Sequence, residues 1–334
     1  MENFYNLYRI GKNTKKPDSR GKSFGYQVLG FGSGVSSSAI AHRGVWAGGL
    51  TPSNSNTIDF VEIATLGNAS DFGNMTASKA RSSGTASTTR GLFFGGHTPG
   101  RLATIDFIEV ATEGNASDFG DLSAVGQFGA AGNNGTRAVN ALGDTNDTAV
   151  NVIEFVTIAS AGNSTDFGDV TVARTGVSEC ASAVRIVYMA GNGGAGSQGD
   201  FNTMDFVTTA SAGNATDFGD LTGVNSAGGG CGNGTRGVHL GGNNNSENTI
   251  EFITIASAGN SQDFGDLTSV SNNGGAACSS PTRGLKAIGS GPSLTAQIDH
   301  ITIASAGNSA DFGDLSVARN FNGALSNGNG GLSA

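Results

Sequence analysis

Short apolar segments that alternate with polar residues run along the length of this chain. The segment Ile58-Asp59-Phe60-Val61-Glu62-Ile63 places Ile58 and Phe60 on one side of an extended strand and Val61 and Ile63 on the other. Both sides are partly apolar, which is typical of a sheet packed between two others. Isoleucine, valine, phenylalanine and threonine dominate these segments, and no long window has apolar residues at helical spacing. The pattern therefore predicts an all-β fold with almost no helix.

The tripeptide Asp-Phe-Gly recurs at nearly constant spacing. Its aspartates are Asp71, Asp118, Asp166, Asp217, Asp263 and Asp311, at intervals of 47, 48, 51, 46 and 48 residues. A period of about 40 to 50 residues is typical of one β-propeller blade. The copies therefore predict a six-bladed β-propeller, and their number excludes the single magnesium-binding Asp-Phe-Gly of a protein kinase.

Two further features share this period. An arginine precedes an apolar segment in every unit, and these arginines are Arg43, Arg90, Arg137, Arg185, Arg236 and Arg283. The phenylalanines of the Asp-Phe-Gly copies are the expected apolar plugs between blades, and they are Phe72, Phe119, Phe167, Phe218, Phe264 and Phe312. Each unit contains about four short strands, and the blades have to pack on one another because one unit cannot bury both its faces alone. We assign residues 31–334 to the propeller.

The repeat resembles known propeller families. Arginine, strand, glycine pair, strand and a later aromatic residue resemble the kelch repeat over about residues 31–334, with phenylalanine where kelch usually has tryptophan. The segment 255–268, Ile-Ala-Ser-Ala-Gly-Asn-Ser-Gln-Asp-Phe-Gly-Asp-Leu-Thr, is similar to repeats in virion-associated propeller proteins of tailed bacteriophages, notably cyanophages. The resemblance implies a virion structural protein of a tail, neck or capsid appendage, synthesised in the host cytoplasm and without assigned catalysis.

A propeller has to join its first and last blades. Residues 317–327 begin a seventh unit, and Val317-Ala318-Arg319 matches Val172-Ala173-Arg174 inside the chain. We therefore expect residues 317–327 to supply the innermost strand of the blade that begins near His42, which leaves no open sheet edge. The alternative is that residues 35–41 fill this position.

Residues 1–30 differ in charge from the rest of the chain. They carry a net charge near +4, whereas the remainder carries a net charge near −13. Such asymmetry is typical of an interaction arm beside a globular domain, and aromatic residues are frequent interface anchors. We expect this extended N-terminal arm to bind other virion proteins through Phe4, Tyr5, Tyr8, Arg9, Lys12, Lys15 and Lys16. The alternatives are a solvated tail and a nucleic-acid-binding segment, which the acidic propeller disfavours because it repels phosphate.

The cysteines Cys180, Cys231 and Cys278 each lie five residues before a repeat arginine, where the other units have Ser38, Thr85 and Gly132. All these residues are small, which predicts packing positions on innermost strands that crowd around the propeller axis. An odd number of cysteines argues against a disulfide framework. Cysteines on successive blades form an arc rather than the tetrahedral cage of a zinc site, which makes a metal the less favoured alternative.

The repeated Asn-x-x-Asp-Phe-Gly loop suggests a calcium site as a further hypothesis. In the first unit Asn68, Asp71 and Asn74 offer side-chain oxygens, but calcium takes about six to eight oxygen ligands. The favoured interpretation is turn chemistry, in which asparagine and aspartate bond to nearby backbone amides and the aspartates pair with the repeat arginine. We therefore predict no metal and no cofactor.

Catalytic motifs are scarce in this sequence. The histidines His42, His97, His239 and His300 fall at several different repeat positions, and no Ser-His-Asp set, zinc-protease motif or phosphate loop is present. Galactose oxidase has a kelch-like propeller, but its copper chemistry requires tyrosines, and Tyr188 is the one tyrosine outside the N-terminal segment. We predict a non-enzymatic protein, with an enzyme as the alternative from another class.

The sequence also bears on the membrane. Its N-terminus lacks the basic start and apolar run of a signal peptide, and no stretch approaches the length of about 18 apolar residues that a spanning helix needs. We expect no membrane insertion.

The loops after the small-residue pair vary most between units. They span residues 50–57, 97–104, 144–152, 192–203, 243–249 and 290–297. Because they occupy the same point of every repeat, they are expected to share one rim of the disc, where variable loops on a rigid scaffold can form a binding face. The candidate contact residues are His97, Arg101, Asp144, Asn146, Asn192, Phe201, Asn243 and Asn245. Such a face can contact virion proteins or act as a receptor- or glycan-binding adhesin, and the remaining alternative is drift of solvent-exposed loops.

Overall fold

The computed structural model describes residues 41–194, 199–243, 247–272, 274–291 and 293–328, and these ranges contain β-strands and no helix. The first strands are β1 (Arg43–Ala47), β2 (Leu50–Thr51), β3 (Ser53–Asn54), β4 (Thr57–Glu62), β5 (Ser70–Asn74), β6 (Ser83–Ala86), β7 (Arg90–Phe94), β8 (Leu102–Glu109), β9 (Ser117–Gly126), β10 (Ala130–Asn133), β11 (Arg137–Ala141), β12 (Asp144–Thr145), β13 (Thr148–Ala149) and β14 (Val152–Thr157). The chain continues with β15 (Thr165–Asp169), β16 (Ser178–Ala181), β17 (Arg185–Met189), β18 (Phe201–Thr208), β19 (Thr216–Asn225), β20 (Gly229–Gly232), β21 (Arg236–Gly242), β22 (Glu247–Thr254), β23 (Gln262–Asp266), β24 (Ala277–Ser279), β25 (Arg283–Ala287), β26 (Gln297–Thr302), β27 (Ala310–Asp314) and β28 (Gly323–Ser326).

Six four-stranded antiparallel sheets form the blades of a β-propeller, which confirms the predicted fold. Blade 1 is β28-β1-β4-β5, blade 2 is β6-β7-β8-β9, blade 3 is β10-β11-β14-β15, blade 4 is β16-β17-β18-β19, blade 5 is β20-β21-β22-β23 and blade 6 is β24-β25-β26-β27. Each blade begins with a short inner strand, continues with the strand that the repeat arginine opens, and ends with the Asp-Phe-Gly strand. The chain therefore passes from the outer edge of one blade to the inner edge of the next.

The C-terminal strand closes the ring. Strand β28 pairs antiparallel with β1, with Gly44 opposite Ser326 and Ala47 opposite Gly323. The expected closure by the C-terminus is confirmed, and the inner position of blade 1 is filled by this strand rather than by residues 35–41. The strand itself is shorter than the predicted segment 317–327. The compact unit that contains the blades begins at His42, and residues 1–40, with all the proposed arm residues, lie outside the described part of the chain.

A separate apolar cluster fills the gap between each pair of neighbouring blades. Between blades 1 and 2, Phe72 packs with Ile58 of its own blade and with Phe93 and Ile108 of the next blade. The ring of Phe60 meets the Phe72 ring edge to face, with centroids 5.8 Å apart. All six Asp-Phe-Gly phenylalanines are buried, which confirms their role as inter-blade plugs. Burial of each phenyl ring contributes about 1.5–3 kcal/mol.

The cysteines pack against glycines of the next blade. A Cβ atom added at Gly284 would lie 2.8 Å from Cys231 Sγ, and Gly237 leaves the equivalent space for Cys180. These glycines directly follow repeat arginines, so the repeat supplies a hole for each inner-strand side chain. The cysteines are free and buried, as expected, but they fill a space between blades rather than crowd the axis.

At another blade interface the large and the small residue of this contact change places. Between blades 3 and 4 an isoleucine, Ile186, stands at the glycine position, and its Cγ1 would lie 2.9 Å from a Cβ added at the facing Gly132. The expectation that every inner-strand residue at this register is small, with Ser38 in the first unit, is wrong. Leu325 of β28 takes that position opposite Val45 and fits against Gly91. The contact therefore constrains the combined volume of the two facing side chains rather than the identity of either residue.

The Gly-Asn pair of each blade is hydrogen-bonded to the Asp-Phe-Gly strand of the preceding blade. Between blades 2 and 3, the Gly162 N–H donates to the Phe119 carbonyl at 2.8 Å, and the Asp121 N–H donates to Asn163 Oδ1 at 3.0 Å. The Ser164 N–H donates to the Asp121 carbonyl at 2.8 Å. The same bonds recur at all six blade interfaces. We call each set of bonds an inter-blade seam, and it covers an outer strand edge that would otherwise be open.

The seam explains the glycine and the asparagine of the motif. Gly120 has φ +148°, and a Cβ there would lie 2.5 Å from the carbonyl carbon of Gly162, so a larger residue cannot occupy the position. The asparagine does bond to a backbone amide, as expected, but the amide belongs to the neighbouring blade rather than to its own turn. Asn68 Oδ1, which the calcium hypothesis needed as a ligand, accepts the equivalent bond from the Asp314 N–H at 3.1 Å.

The repeat arginines stack on aromatic rings and do not pair with the Asp-Phe-Gly aspartates, so that prediction is wrong. The guanidinium carbon of Arg137 lies 4.4 Å from the ring centroid of Phe155, and its Nη1 donates to the Thr209 carbonyl of blade 4 at 3.1 Å. Every repeat arginine donates in this way to a carbonyl of the next blade. The arginine is therefore a second polar link between blades, in addition to the seam.

An acidic residue in the third strand of each blade is buried and bound by the preceding blade. Asp205 accepts bonds from the N–H and hydroxyl of Thr171, and Arg174 Nη2 lies 2.6 Å from its Oδ1. Glu251 pairs with no cation among the described residues, and the hydroxyls of Thr222 and Ser261 bind it instead. Buried carboxylates require such partners because an uncompensated charge is costly away from water.

The exchange of size across blade interfaces can be tested at Gly237. We expect Gly237→Ile alone to destabilise the protein by about 3 kcal/mol, because the new side chain overlaps Cys180. Adding Cys180→Gly recreates the arrangement of Gly132 and Ile186, and we expect it to recover more than half of the loss. Urea unfolding of the single and double variants measures the coupling. Strictly additive effects would show that the two sites are independent.

Candidate functional site

The variable loops and the inter-blade crossovers lie on one face of the propeller. In each antiparallel blade, the link between the second and third strands leaves the sheet at the same end as the crossover to the next inner strand. Isolated backbone bridges join the two kinds of link, as between Ala80 and His97 and between Gln127 and Asp144. We call this surface the loop face. The shared rim expected from the sequence therefore exists.

A ring of residues with left-handed backbone lies on the loop face, one residue shortly before each inner strand. Its members are Arg81, Phe128, Gly176, Ala227, Gly274 and Phe321, with φ between 53° and 65°. The Arg81 N–H donates to the Phe321 carbonyl at 2.7 Å, and the Phe128 N–H donates to the Arg81 carbonyl at 2.9 Å. We call this the mouth ring. Large side chains in the left-handed region carry backbone strain, which is often retained at functional sites.

Three consecutive members of the mouth ring form a cation–aromatic cluster. The rings of Phe128 and Phe321 meet edge to face, with centroids 5.3 Å apart. The guanidinium carbon of Arg81 lies 4.8 Å from the centroid of Phe128 and 5.2 Å from that of Phe321. Arg81 Nη1 also donates to Gln127 Oε1 at 3.2 Å. Contacts of this type contribute about 0.5–2 kcal/mol each and hold the three side chains over blades 1 to 3.

Three of the predicted contact residues converge beside this cluster. Arg101 binds Asp144 through Nε at 2.6 Å and the exposed Asp147 through Nη2 at 2.5 Å. Asp144 Oδ2 also accepts a bond from Gln127 Nε2 at 3.0 Å, which joins the pair to Arg81. Burial, followed by the charges of Arg81 and Arg101, lowers the pKa of His97. The loops of blades 2 and 3 are therefore fixed by one polar network.

The other predicted contact residues do not join this network. Asn146 is exposed in the turn between β12 and β13, with φ +51°. Asn192 forms a bridge with Thr175, and its Oδ1 accepts a bond from the Gly194 N–H at 2.9 Å. Phe201 is half-buried in β18, and Asn243 is exposed. Asn245 lies outside the described residues.

Two cavities meet at Glu179, near the start of the inner strand of blade 4. The first has a volume of about 100 Å³, opens at the mouth ring and is lined by Arg81, Phe128, Phe321 and inner-strand residues. We call it the axial funnel. The second, of about 40 Å³, is lined by residues further along the same strands, and Glu179 borders both. Burial raises the pKa of Glu179 to about 8.

Glu179 stands out among the residues at its register. The equivalent inner-strand positions are Ala324, Gly84, Ala131, Gly230 and Ala277. A Cβ at Gly230 would overlap the backbone of Glu179, so the neighbouring strand approaches closely at this point. One carboxyl group therefore projects among residues with small or absent side chains.

A third cavity lies between the loops of blades 1 and 2. It has a volume of about 480 Å³ and is lined by Leu50, Asn54, Ala80, Pro99 and their neighbours, with Arg81 between it and the axial funnel. Asn54 Nδ2 donates to the His97 carbonyl at 3.0 Å, which fixes one wall. We call this the loop groove. Its walls combine apolar residues with several polar ones, and its volume is in the range of ligand-binding clefts.

Sequence reasoning missed the mouth ring and Glu179. These positions differ between units, whereas a repeat pattern is defined by the residues that the units share. The signal was present in the register: Arg81, Phe128 and Phe321 each stand ten residues after an Asp-Phe-Gly aspartate. Glu179 stands six residues before Arg185, where the aligned units have alanine or glycine.

Chemistry outside the loop face is limited in the described residues. No group of three or more histidine, cysteine, aspartate or glutamate side chains there could hold a metal ion. His239 Nδ1 lies 2.8 Å from Ser178 Oγ, and burial lowers the pKa of His239 to about 3, so its imidazole is neutral. Among the described residues there is also no helix of a length and apolarity that could span a bilayer.

Comparison with known proteins adds no family assignment. No protein-family model matches the chain, and no curated protein shows a significant match to it. The sequence and the geometry of the propeller therefore carry the functional argument.

The raised pKa of Glu179 predicts a pH-dependent stability. Its folded pKa of about 8 exceeds the ordinary value of 4.5, so Glu179 favours folding when protonated and this contribution declines as pH rises from about 4.5 through 8. We expect Glu179→Gln to raise the melting temperature relative to wild type progressively between these pH values. Differential scanning calorimetry across this range, with Glu113→Gln on the exterior as control, measures the effect. A constant difference between wild type and Glu179→Gln would contradict the assignment.

Proposed function

We propose that this protein is a non-enzymatic structural component of a tailed-phage virion, with kelch-like repeats of the Asp-Phe-Gly-Asp type. In this proposal it belongs to a tail, neck or capsid appendage and is synthesised in the host cytoplasm. The N-terminal arm attaches it to other virion proteins, and the loop face contacts a further protein or the host surface. The observation that supports this most is the contrast between a repeated, closed scaffold and a single face on which the repeat is broken.

The scaffold suits display rather than catalysis. All six interfaces carry the same seam bonds, so the blades form a rigid support for loops of different length. The polar network of Arg101, Asp144 and Gln127 fixes the loops of blades 2 and 3 without presenting an activated nucleophile. Binding by preorganised loops loses less conformational entropy than binding by mobile ones.

The charge distribution supports the separate role of the arm. Residues 1–30 are basic and aromatic-rich, whereas the remainder has a net charge near −13. An acidic propeller repels nucleic acid and anionic membrane surfaces, so a protein partner is the better fit for the arm. In the proposal Phe4, Tyr5 and Tyr8 are the buried anchors, and Arg9, Lys12, Lys15 and Lys16 form the charged rim.

The loop groove favours a second candidate function, a receptor- or glycan-binding adhesin. Its walls combine apolar Leu50 and Pro99 with the polar groups of Asn54, His97 and Arg81. Sugars present both apolar ring faces and hydroxyl groups, so a cleft of this mixed character and of about 480 Å³ suits a short glycan. This function would operate on the virion and does not compete with attachment through the arm.

Particle incorporation tests the proposed function. We expect a chain lacking residues 1–25 to remain folded, because the described strands begin at Arg43, but to be lost from purified particles. Groove variants Asn54→Ala and Pro99→Asp should be incorporated at wild-type occupancy, as should the control Val184→Asp on an exposed turn of the opposite face. Quantitative mass spectrometry of particles measures occupancy, and circular dichroism confirms folding.

The outcomes separate the two candidates. Loss of host-cell adsorption by particles that carry the groove variants, with normal adsorption for Val184→Asp, would support the adhesin. Full incorporation of the arm-deleted chain would show that the propeller itself makes the attachment. Absence of the full-length chain from purified particles would contradict the virion assignment altogether.

A further inference from the structure

The axial funnel has two unlike halves. Over blades 1 to 3, the mouth ring carries Phe321, Arg81 and Phe128, which contact one another across the opening. Over blades 4 to 6, the corresponding residues are Gly176, Ala227 and Gly274. A small molecule can therefore enter on the side of blades 4 to 6 and meet an aromatic and cationic wall on the other side.

Glu179 lies beneath the open half of the funnel and has no partner. Its carboxylate accepts no hydrogen bond and forms no ion pair with any described residue, although it borders two cavities. Gly132 on one neighbouring blade leaves space for the carboxylate, since a Cβ there would lie 3.0 Å from Glu179 Oε2. Glu179 is half-buried, and a carboxyl group without a protein partner that faces a cavity is a functional-site signal.

A second buried polar group lies behind the same wall. His239 is 1% exposed, and its Nδ1 lies 2.8 Å from Ser178 Oγ. The imidazole lies directly behind Gly228, because a Cβ on Gly228 would come within 2.8 Å of its Nε2. Gly228 lines the funnel. The polar side of the cavity is therefore built from blades 4 and 5.

Arg81 supplies the opposite charge at the mouth. Of its guanidinium nitrogens, Nη1 donates to Gln127, while Nε and Nη2 donate to no described residue. Arg81 and Glu179 are the charged side chains that line the funnel. The strained left-handed backbone of Arg81, at φ +65°, is retained although glycine occupies two other ring positions. One cavity thus presents a carboxyl group without a protein partner at depth and a partly free cation at its mouth.

From this geometry we infer that the axial funnel binds a small zwitterion, a primary amine that also carries a carboxylate. The ammonium group binds the Glu179 carboxylate, and the anionic group binds the free donors of Arg81. The cavity has a volume of about 100 Å³, which limits the ligand to a small molecule. This site does not depend on the proposed virion role, and it shares Arg81 with the loop groove.

A metal ion fits the funnel less well. Calcium requires about six to eight oxygen ligands and favours carboxylates, whereas the funnel supplies one carboxylate, Glu179, beside a few serine and asparagine side chains. The positive charge of Arg81 also opposes a second cation in the same cavity. An ammonium group needs one anionic partner, which the funnel provides.

The neighbours of Glu179 define the pH behaviour of binding. Burial raises the pKa of Cys180, Cys231 and Tyr188, which keeps these groups neutral near pH 7, and His239 is neutral because its pKa is lowered to about 3. Lys286 lies in β25 of blade 6, and burial lowers its pKa to about 7. Its Nζ donates to the Gly275 carbonyl. Glu179 is mostly protonated at pH 7, so binding of an ammonium group is expected to release a proton from it.

Isothermal titration calorimetry of the full chain tests the inference. The probes are glycine, β-alanine, γ-aminobutyrate and 6-aminohexanoate, with methylammonium and acetate as singly charged controls. We expect one chain length to bind best, each control to bind at least about tenfold more weakly, and proton release of close to one per site at pH 7 in buffers of different ionisation enthalpy.

Variants of the lining residues decide the outcome. Glu179→Gln is expected to weaken binding at least about tenfold and to abolish proton release, whereas Arg81→Gln weakens binding but keeps the release. We expect Lys286→Met to retain both ligand binding and proton release, which would assign the released proton to Glu179. Failure of every probe to bind, or binding that Glu179→Gln leaves unchanged, would overturn the inference.

Discussion

The structure depends on satisfying the outer strand edge of every blade. A four-stranded sheet ends in unpaired N–H and C=O groups, which are unfavourable when dry and invite aggregation when exposed. Here the Gly-Asn pair of the next blade and the residue after it bind that edge with two backbone bonds and one asparagine oxygen. The close approach requires a glycine such as Gly120 at φ +148°. The motif Gly-Asn-x-x-Asp-Phe-Gly therefore supplies both sides of the seam: its Gly-Asn part binds the preceding blade, and its Asp-Phe-Gly part is bound by the next blade.

A scaffold held in this way tolerates change elsewhere. The apolar layers accept exchanged sizes, as Gly132 with Ile186 and Cys231 with Gly284 show. Buried acids are balanced either by a cation, as in Asp205 with Arg174, or by hydroxyl groups. With the polar seam constant, the loop face and mouth ring can differ from blade to blade. This separation explains why the least repetitive residues gather on one face.

Much of the fold could be predicted from the sequence, because the number of repeat copies at a blade-length period gives the number of blades directly. Closure by the C-terminus also followed from the match of Val317-Ala318-Arg319 to an internal unit. Spacing does not reveal which neighbour a side chain reaches, so the arginines and asparagines were assigned to contacts within one unit. The structure shows that Arg137 and Asn163 contact adjacent blades. The candidate site was predicted only in part, since Arg81 and Glu179 are exceptions to the repeat.

Amide hydrogen exchange at the seams tests the central claim most directly. The amides of Gly67, Gly114, Gly162, Gly213, Gly259 and Gly307 belong to exposed residues, yet each donates to a phenylalanine carbonyl of the preceding blade. If the seams hold the ring, these amides should exchange as slowly as those inside β7 or β17, and at similar rates at every interface. Exchange at the rate of free surface loops would contradict the account and assign ring closure to the apolar layers alone.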